Sequence, residues 1–416
     1  MTGREGLVIV GAGQAGFQLA ASARSSGYRQ PITLIGGEQD APYQRPPLSK
    51  AYLLGRSARE GLALQPARYF EDHAIDLRLG MQAVAIDRAG ARLHLQDGSS
   101  VAYAALVLAT GADNRALPVP GADLRGIHSL RTLREADALK DELETARRVV
   151  IVGGGFIGLE IAAVATRLGK QVTVVEAQSR LMERAVTPEI SAFFSREHRE
   201  QGATIRLSAS VTCFEGQEGA VSADRLDDGS TLPCDVAVVG IGVTPNTQLA
   251  VSAGLHTRNG ILVDPQLRTN DPSIHAIGDC AAFEGGDGQI RRIESIQNAV
   301  DQAKHLAATL CGSQRPYEAV PWFWTEQYEC RLQMAGLTSG ADTTVIHGNP
   351  EERSFSVFAF RNGQLIGVDS VNRQRDHVRA RKMLASGQAM TPEDLASDGG
   401  ASRNTGVPVS AGAERV

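Results

Sequence analysis

The 416-residue chain has only five cysteines, and no two of them are spaced as C-x-x-C or C-x-x-x-x-C. Cys213, Cys234, Cys280, Cys311 and Cys330 therefore carry no metal-ribbon or dithiol signature, and they read as small buried hydrophobes. None precedes residue 213, so an early thiol placed for disulfide chemistry is missing. Long apolar runs are missing as well. The longest, Val149 to Val164, is broken by Gly153, Gly154, Gly155, Gly158 and Glu160, too short and too polar to cross a bilayer. The formal net charge of −5 gives no reason to expect nucleic acid or an anionic membrane as a partner. The chain enters a strand by Leu7, which leaves no room for a secretory leader, and a cytoplasmic protein is expected.

What the chain does have is two glycine-rich turns, each between an apolar strand and a helix. Leu7-Val8-Ile9-Val10 leads into Gly11, Gly13 and Gly16. Val149-Val150-Ile151-Val152 leads into Gly153, Gly155 and Gly158. The first glycine permits the bend, the second lets backbone amides approach a pyrophosphate, and the third lets helix and strand pack closely. One such turn is weak evidence. Two in the same context imply two bound dinucleotides, with electrons passed between them.

The surroundings of the two turns echo each other. Each is followed by a second strand, Ile32-Thr33-Leu34-Ile35 and Val172-Thr173-Val174-Val175. Each half then reaches a hairpin, with turns at Asp97-Gly98 and Asp228-Gly229, and a buried strand, Ala105 to Ala109 and Val236 to Gly240. A proline-spaced linker at Leu117-Pro118-Val119-Pro120 separates the halves, and after Thr244-Pro245-Asn246 the chain returns to the first. A strand-rich module starts near Pro321, with Asn362-Gly363 as a turn between Phe355–Phe360 and Leu365–Val368.

Acidic residues close both second strands. Glu176 stands where a carboxylate accepts hydrogen bonds from the ribose hydroxyls of NAD and repels the extra phosphate of NADP, which favours NADH. Glu38, after Gly36-Gly37, is the corresponding ribose candidate in the first half. Glu160 lies one turn into an apolar helix, where a carboxylate is costly unless paired or solvated.

The runs Pro42-Tyr43-Gln44-Arg45-Pro46-Pro47-Leu48-Ser49-Lys50, Ala109-Thr110-Gly111 and Ala276-Ile277-Gly278-Asp279-Cys280 extend the pattern, as do Arg292-Ile293-Glu294-Ser295 and Val320-Pro321-Trp322-Phe323-Trp324. Over residues 6 to 390 the chain resembles the FAD-dependent, NADH-linked ferredoxin reductases of bacterial oxygenase systems, of the putidaredoxin and rhodocoxin reductase type. The resemblance implies an α/β fold with two Rossmann-like dinucleotide-binding domains in a glutathione-reductase-like arrangement, plus a C-terminal α+β domain. Expected boundaries are 1–112 with 243–320 for FAD, 113–242 for NAD, 321–397 for the C-terminal domain and 398–416 for a disordered tail.

The resemblance also implies roles. Ala12, Gly13, Gln14 and Ala15 would line the FAD pyrophosphate turn, with Ala109, Thr110 and Gly111 in the turn beside it. Arg45 and Lys50 would lie by the flavin, Lys50 near the ring edge where hydride arrives, which makes it a candidate partner for Glu160. Ala83 would meet the adenine end, Arg131 and Asp279 the phosphate and ribityl region, and Ile296 the pyrimidine edge through its amide. Gly155, Phe156, Ile157, Glu160, Glu176 and Gly242 match the nicotinamide-side positions. Trp324 is a candidate for stacking near the flavin, whereas Trp322 reads as core. Gly37 departs from the family, which usually has an acidic or amide residue there, and Glu38 is its candidate substitute.

The implied reaction takes hydride from NADH to FAD, then single electrons to a 2Fe–2S ferredoxin that feeds a cytochrome P-450 or a ring-hydroxylating dioxygenase. The alternatives are a rubredoxin reductase, an NADH oxidase, or a redox-gated binding protein resembling apoptosis-inducing factor. Arg375, Arg379 and Lys382 fall on one face of an expected helix, with Arg373 and Arg381 nearby, as a candidate surface for an acidic partner.

Overall fold

The computed structural model describes residues 6–285, 288–397 and 403–404. Its contacts divide the chain into two compact units, one of residues 1–45, 57–113 and 243–319, the other of 46–56, 114–242 and 320–416.

In the first unit a parallel sheet runs in the order Ile75–Arg78, Ile32–Ile35, Gly6–Val10, Ser100–Leu108, with Ile274–Ala276 added beside Ser100–Leu108. Its central strands are apolar on both faces. Leu7, Ile9 and Val107 enter one core cluster, and Val8, Val10, Leu106 and Leu108 the other. That is the signature of a sheet covered on both sides. Helix Gln14–Ser25 packs against helix Ile296–Leu310 on one of those sides. The expected hairpin is present: Arg92–Leu95 pairs antiparallel with the start of Ser100–Leu108, and Ala83–Asp87 pairs with it in turn.

The second unit repeats the theme. Its parallel sheet runs Thr204–Leu207, Gln171–Glu176, Arg148–Val152, Val236–Val239, Ile127–His128, and a three-stranded antiparallel sheet spans Val211–Gln217, Ala220–Leu226 and Thr231–Pro233. The C-terminal strands form an antiparallel sheet in the order Trp322–Gln327, Cys330–Gly336, Gln364–Val371, Ser354–Arg361, Thr343–Asn349, Arg403–Asn404. Asn362 and Gly363 both take positive φ (51° and 72°), the conformation that an Asn-Gly hairpin turn requires. Helix Gln374–Ser386 covers this sheet.

Several details differ from the expectations. Residues 46–56, inside the range expected for the first domain, pack in the second unit, where Tyr52 hydrogen-bonds Asp137. The second-cradle sheet and the C-terminal sheet make one compact unit. Of the expected tail, Arg403–Asn404 form a short strand on Thr343–Asn349, and 398–402 and 405–416 lie outside the described residues. Cys234, Cys280 and Cys330 are buried as expected, but Cys213 is half-buried and Cys311 exposed, because Cys311 follows the last turn of its helix. Among the described residues no helix is long and apolar enough to cross a membrane.

Candidate functional site: two nucleotide cradles and a buried ion pair

Each cradle is built the same way. Gly11 donates its amide to Ile35 O at 2.8 Å and takes φ +112°, and Gly153 donates to Val175 O at 2.8 Å with φ +110°. A Cβ on Gly11 would lie 2.0 Å from the Ala109 carbonyl oxygen, and one on Gly16 would lie 1.9 Å from the Gly11 oxygen. In the second cradle the same contacts would be 2.4 Å, Gly153 to Gly240 O, and 2.2 Å, Gly158 to Gly153 O. The middle glycines face open space: nothing lies within 4 Å of a Cβ on Gly13, and on Gly155 only the Gly240 oxygen at 4.0 Å.

Gly13 and Gly155 are the N-caps of helices Gln14–Ser25 and Phe156–Arg167, and neither helix receives a side-chain cap. Helix Leu133–Thr145, by contrast, closes its N-terminus with a full capping box from Thr132 and Glu135. An uncapped helix start over an open glycine fits a pyrophosphate, which supplies the acceptors those amides lack. The residues therefore fit a dinucleotide at each turn.

The carboxylates beside the cradles are held differently. Glu176 accepts from the amides of Gly154 at 2.6 Å and Gln178 at 2.8 Å, so its head is fixed at the turn itself. By strand register Gly36 occupies the matching position in the first unit, since Ile35 pairs Val10 as Val175 pairs Val152. A Cβ on Gly36 would meet the Ala12 methyl at 2.7 Å, so the alanine of that turn excludes a side chain there. A Cβ on Gly37 would meet nothing nearer than Gln82 at 3.8 Å, so crowding does not account for that glycine. Glu38 accepts from Tyr43 Oη at 2.6 Å and pairs with Arg45 at 2.5 Å, and the Arg45 guanidinium lies over the Tyr43 ring. The structure thus joins two residues, Glu38 and Arg45, that the sequence reading gave separate tasks.

The other first-unit candidates sit on fixed backbone. Thr110 donates its hydroxyl to Asn246 O at 2.7 Å, which ties down the Ala109-Thr110-Gly111 turn. Asp279 lies in a short turn, Gly278–Cys280, anchored by the Gly278 amide on Gln302 at 2.7 Å. Ile296 opens helix Ile296–Leu310, whose N-cap Ser295 accepts from the Asn298 amide at 3.0 Å. Ala83 begins the outer strand of the hairpin. In the second unit, Arg131 precedes the capped helix and donates its amide to Glu135 at 2.9 Å, and Gly242 takes φ +105°. Gln14 and Ala15 start the first-cradle helix, Phe156 and Ile157 the second, with Ile157 exposed.

Glu160 and Lys50 are brought together. Glu160 is 2% exposed, and its Oε2 meets Lys50 Nζ at 2.7 Å and the Ser49 hydroxyl. Its Oε1 accepts from Thr325 Oγ1 at 2.6 Å. Ser49 and Thr325 were not singled out from the sequence, although Ser49 lies inside a quoted run and Thr325 directly follows one. The usable signal was alternation: Phe323, Thr325 and Gln327 share one face of their strand, with Phe323 packed 4.7 Å from Phe156. Trp324 is half-buried with its ring 5.8 Å from that of Trp322. Trp322, expected in the core, is itself only half-buried, with Arg381 5.1 Å over its ring. Arg375, Arg379 and Lys382 are exposed on helix Gln374–Ser386, whereas Arg373 is pinned to Asp376 at 2.6 Å.

Comparison with known proteins agrees with this geometry. Residues 6–303 match the pyridine nucleotide-disulphide oxidoreductase family, and residues 322–402 the reductase C-terminal family. Rhodocoxin reductase of Rhodococcus erythropolis is 51% identical over 391 residues, 94% of this chain and 92% of its own. The ferredoxin reductase for the CYP199A2 system of Rhodopseudomonas palustris superposes with a TM-score of 0.92 at 48% identity, covering 94% of this chain and 97% of its own. Putidaredoxin reductase, solved as a covalent complex with putidaredoxin, gives 0.91 at 39% identity, covering 94% and 95%. With both cradles built for dinucleotides and no cysteine before residue 213, the chain belongs to the pyridine nucleotide-disulphide oxidoreductase family, whose members use FAD and NAD(P)H, and within it to the ferredoxin reductases.

Proposed function

We propose that this chain is an NADH-dependent ferredoxin reductase that delivers electrons to a 2Fe–2S ferredoxin serving a cytochrome P-450 or a ring-hydroxylating dioxygenase. The observation that carries this reading is the buried Lys50–Glu160 pair, with Glu160 on the very helix that the second cradle opens. FAD, when bound, accepts hydride and gives up electrons one at a time, which suits a one-electron iron–sulfur acceptor. The protein's own contribution is to bind, orient and charge the site. The amides of Gly13 to Ala15 and Gly155 to Ile157 would hold the two pyrophosphates. Glu176, fixed by two amides, keeps acceptor capacity for ribose hydroxyls and disfavours a 2′-phosphate. Lys50 places a cation, stabilised by Glu160, in the region where hydride is exchanged. Arg45, Ala83, Arg131, Asp279, Ile296 and Trp324 are assigned to the FAD side, and Gly242 to the nicotinamide side. No cysteine precedes residue 213, which favours electron exit without a protein sulfur. A cytoplasmic location follows from the use of NADH.

The test is reduction of cytochrome c driven by NADH or NADPH, with and without a panel of 2Fe–2S ferredoxins and a rubredoxin. Turnover that needs both NADH and a ferredoxin is expected. Equal NADH consumption by oxygen alone would make the chain an oxidase. A long-lived reduced flavin that passes electrons to neither protein would make it a redox-gated binding protein.

A further inference from the structure

Glu160 ends a longer line of buried polar groups within the second unit. Thr325, Gln327 and His198 are each 0% exposed and Tyr328 is 9% exposed, so solvent satisfies almost none of their polar atoms. Tyr328 Oη lies 3.1 Å from His198 Nδ1, and His198 Nε2 lies 2.9 Å from Gln327 Oε1. Gln327 Nε2 is 3.4 Å from Thr325 Oγ1, which is 2.6 Å from Glu160 Oε1. The strand Trp322–Gln327 supplies the middle of the line, and helix Pro188–Glu200 supplies its far end.

The direction of every bond in this line follows from its last member. A carboxylate paired with an ammonium has only lone pairs to offer, so Thr325 must donate to Glu160. A hydroxyl has one proton. Thr325, having spent it, can only accept from Gln327, which turns the Gln327 NH2 towards Thr325 and its carbonyl towards His198. His198 must then carry its proton on Nε2. Burial pushes the His198 imidazole below its ordinary value, so the ring is neutral and Nδ1 is an acceptor. Tyr328 fills it at 3.1 Å, donating there rather than to the Thr166 hydroxyl oxygen, the longer contact at 3.5 Å. The charged groups facing the line are Lys50 at one end and Glu197, Arg167 and Arg353 at the other. Glu197 is itself paired with Arg353 at 2.7 Å, and Arg167 lies over the Tyr328 ring.

We propose that Thr325, Gln327 and His198 are positioning residues, a one-way chain of donors from Tyr328 that holds the Glu160 carboxylate aimed at Lys50. The proposal rests on the role given to Lys50 and Glu160 under the function above. It assigns work to the buried polar face of a strand whose flanking tryptophans draw attention first. Donors lined up in one direction polarise one another, and Glu160 is their common terminus. Ser49 and Lys50 secure the other carboxylate oxygen, so the head group has no freedom to rotate away.

Two measurements test it on the flavin-loaded protein. The first needs no turnover: histidine ring 15N spectra, with His198→Gln to identify the signal. A neutral Nε2–H ring with an unprotonated Nδ1 near neutral pH is expected; an Nδ1–H ring or an imidazolium there overturns the chain. The second is stopped-flow reduction of the flavin by NADH. Thr325→Val leaves Glu160 Oε1 buried without its donor and is expected to slow reduction about tenfold or more, as losing a hydrogen bond to a charged group does. NADH affinity should change less than about twofold, and Thr325→Ser should recover most of the rate. Native-rate reduction in Thr325→Val, while Glu160→Gln and Lys50→Ala are slow, overturns the proposal alone. Native rates in all three variants overturn the role of the ion pair as well.

Discussion

The two cradles share a backbone and differ in how their neighbouring carboxylates are restrained. In the second, Gly154 leaves room for Glu176, whose oxygens are fixed by main-chain amides. In the first, Ala12 fills that room, Gly36 carries no side chain, and Glu38 answers to Tyr43 and Arg45. A carboxylate held by backbone is a rigid reader of a ribose. One held by side chains is a softer contact, adjustable with the loop that carries it. Under the proposed function, one cradle would be selective and the other permissive, which suits a substrate that must be distinguished from its phosphorylated relative and a cofactor that need only stay bound.

The largest expected effects on nucleotide binding come from the third glycines, where the cradles are alike. A methyl at Gly16 or Gly158 would press into a backbone oxygen, and backbone cannot swing aside as a side chain can. Such overpacking costs about 1–3 kcal/mol, or about five- to 150-fold in affinity. Gly16→Ala should therefore purify with little flavin, whereas Gly158→Ala should stay yellow and lose NADH kcat/KM. If both variants lose flavin equally, the assignment of one dinucleotide to each cradle is wrong.

Next in size is Glu176→Arg, which breaks the selectivity half of the contrast. The carboxylate's bonds are charge-assisted, worth about 1.5–3 kcal/mol, so the NADH to NADPH ratio of kcat/KM should fall about ten- to hundredfold. An unchanged ratio would remove Glu176 from the ribose. The same substitution strips the acceptor from the Gly154 amide, so some loss with both nucleotides is expected.

Much of this contrast was legible in the sequence, because it is written in short spans. Glycine spacing, the strand before it and the acid about twenty residues on all lie within one βαβ unit. That Glu160 needs a partner was legible from residue type, because an acid in an apolar helix demands one, whereas the choice of Lys50 rested on the family resemblance. Thr325 and His198 were not found, since their meeting depends on where a distant strand and helix come to rest. Glu38 and Arg45 are only seven residues apart, yet their pairing belongs to an irregular loop without a period to read. The exposure of Cys311 turns on one helix ending at Leu310, and element ends are where pattern reading is weakest.

The units also differ in what acid should do to them. Among the described residues each unit holds two histidines pushed below their ordinary value by desolvation, all of them buried except His305, which is half-buried. In the first these are His275, at about 4, and His305; in the second, His198 and His377, the latter at about 4. A depressed histidine contributes stability above its unfolded value of 6.5, lost as pH falls towards 4, because the unfolded chain takes up the proton first. The second unit carries an offset. Burial raises Asp369 to about 7 and Asp224 to about 6, so the folded state binds those protons more readily and gains stability over the same interval. His275 and His377 offset each other, so between pH 7.5 and 5 the first unit should lose roughly 4 kcal/mol relative to the second. Hydrogen exchange reads this as faster opening of Gly6–Val10 and Ile32–Ile35 than of Arg148–Val152. Parallel loss in both sheets would show that the buried carboxyls do not provide the offset.

The smallest effect belongs to Glu38. Its side chain is 35% exposed and that of Arg45 is 29%, so the pair is screened and worth at most about 1 kcal/mol. Glu38→Gln keeps an acceptor for Tyr43 and loses only the charge. FAD affinity should weaken about two- to fivefold, as a fraction of that pair's energy allows, with NADH kinetics unchanged at saturating flavin. Raising the salt concentration should shrink the difference between the variant and the parent, because screening has already removed part of what the substitution removes. A loss as large as that of Glu176→Arg would mean that Glu38 reads its ribose as rigidly as Glu176 does, and the two cradles would then differ only in the route by which they fix an acid.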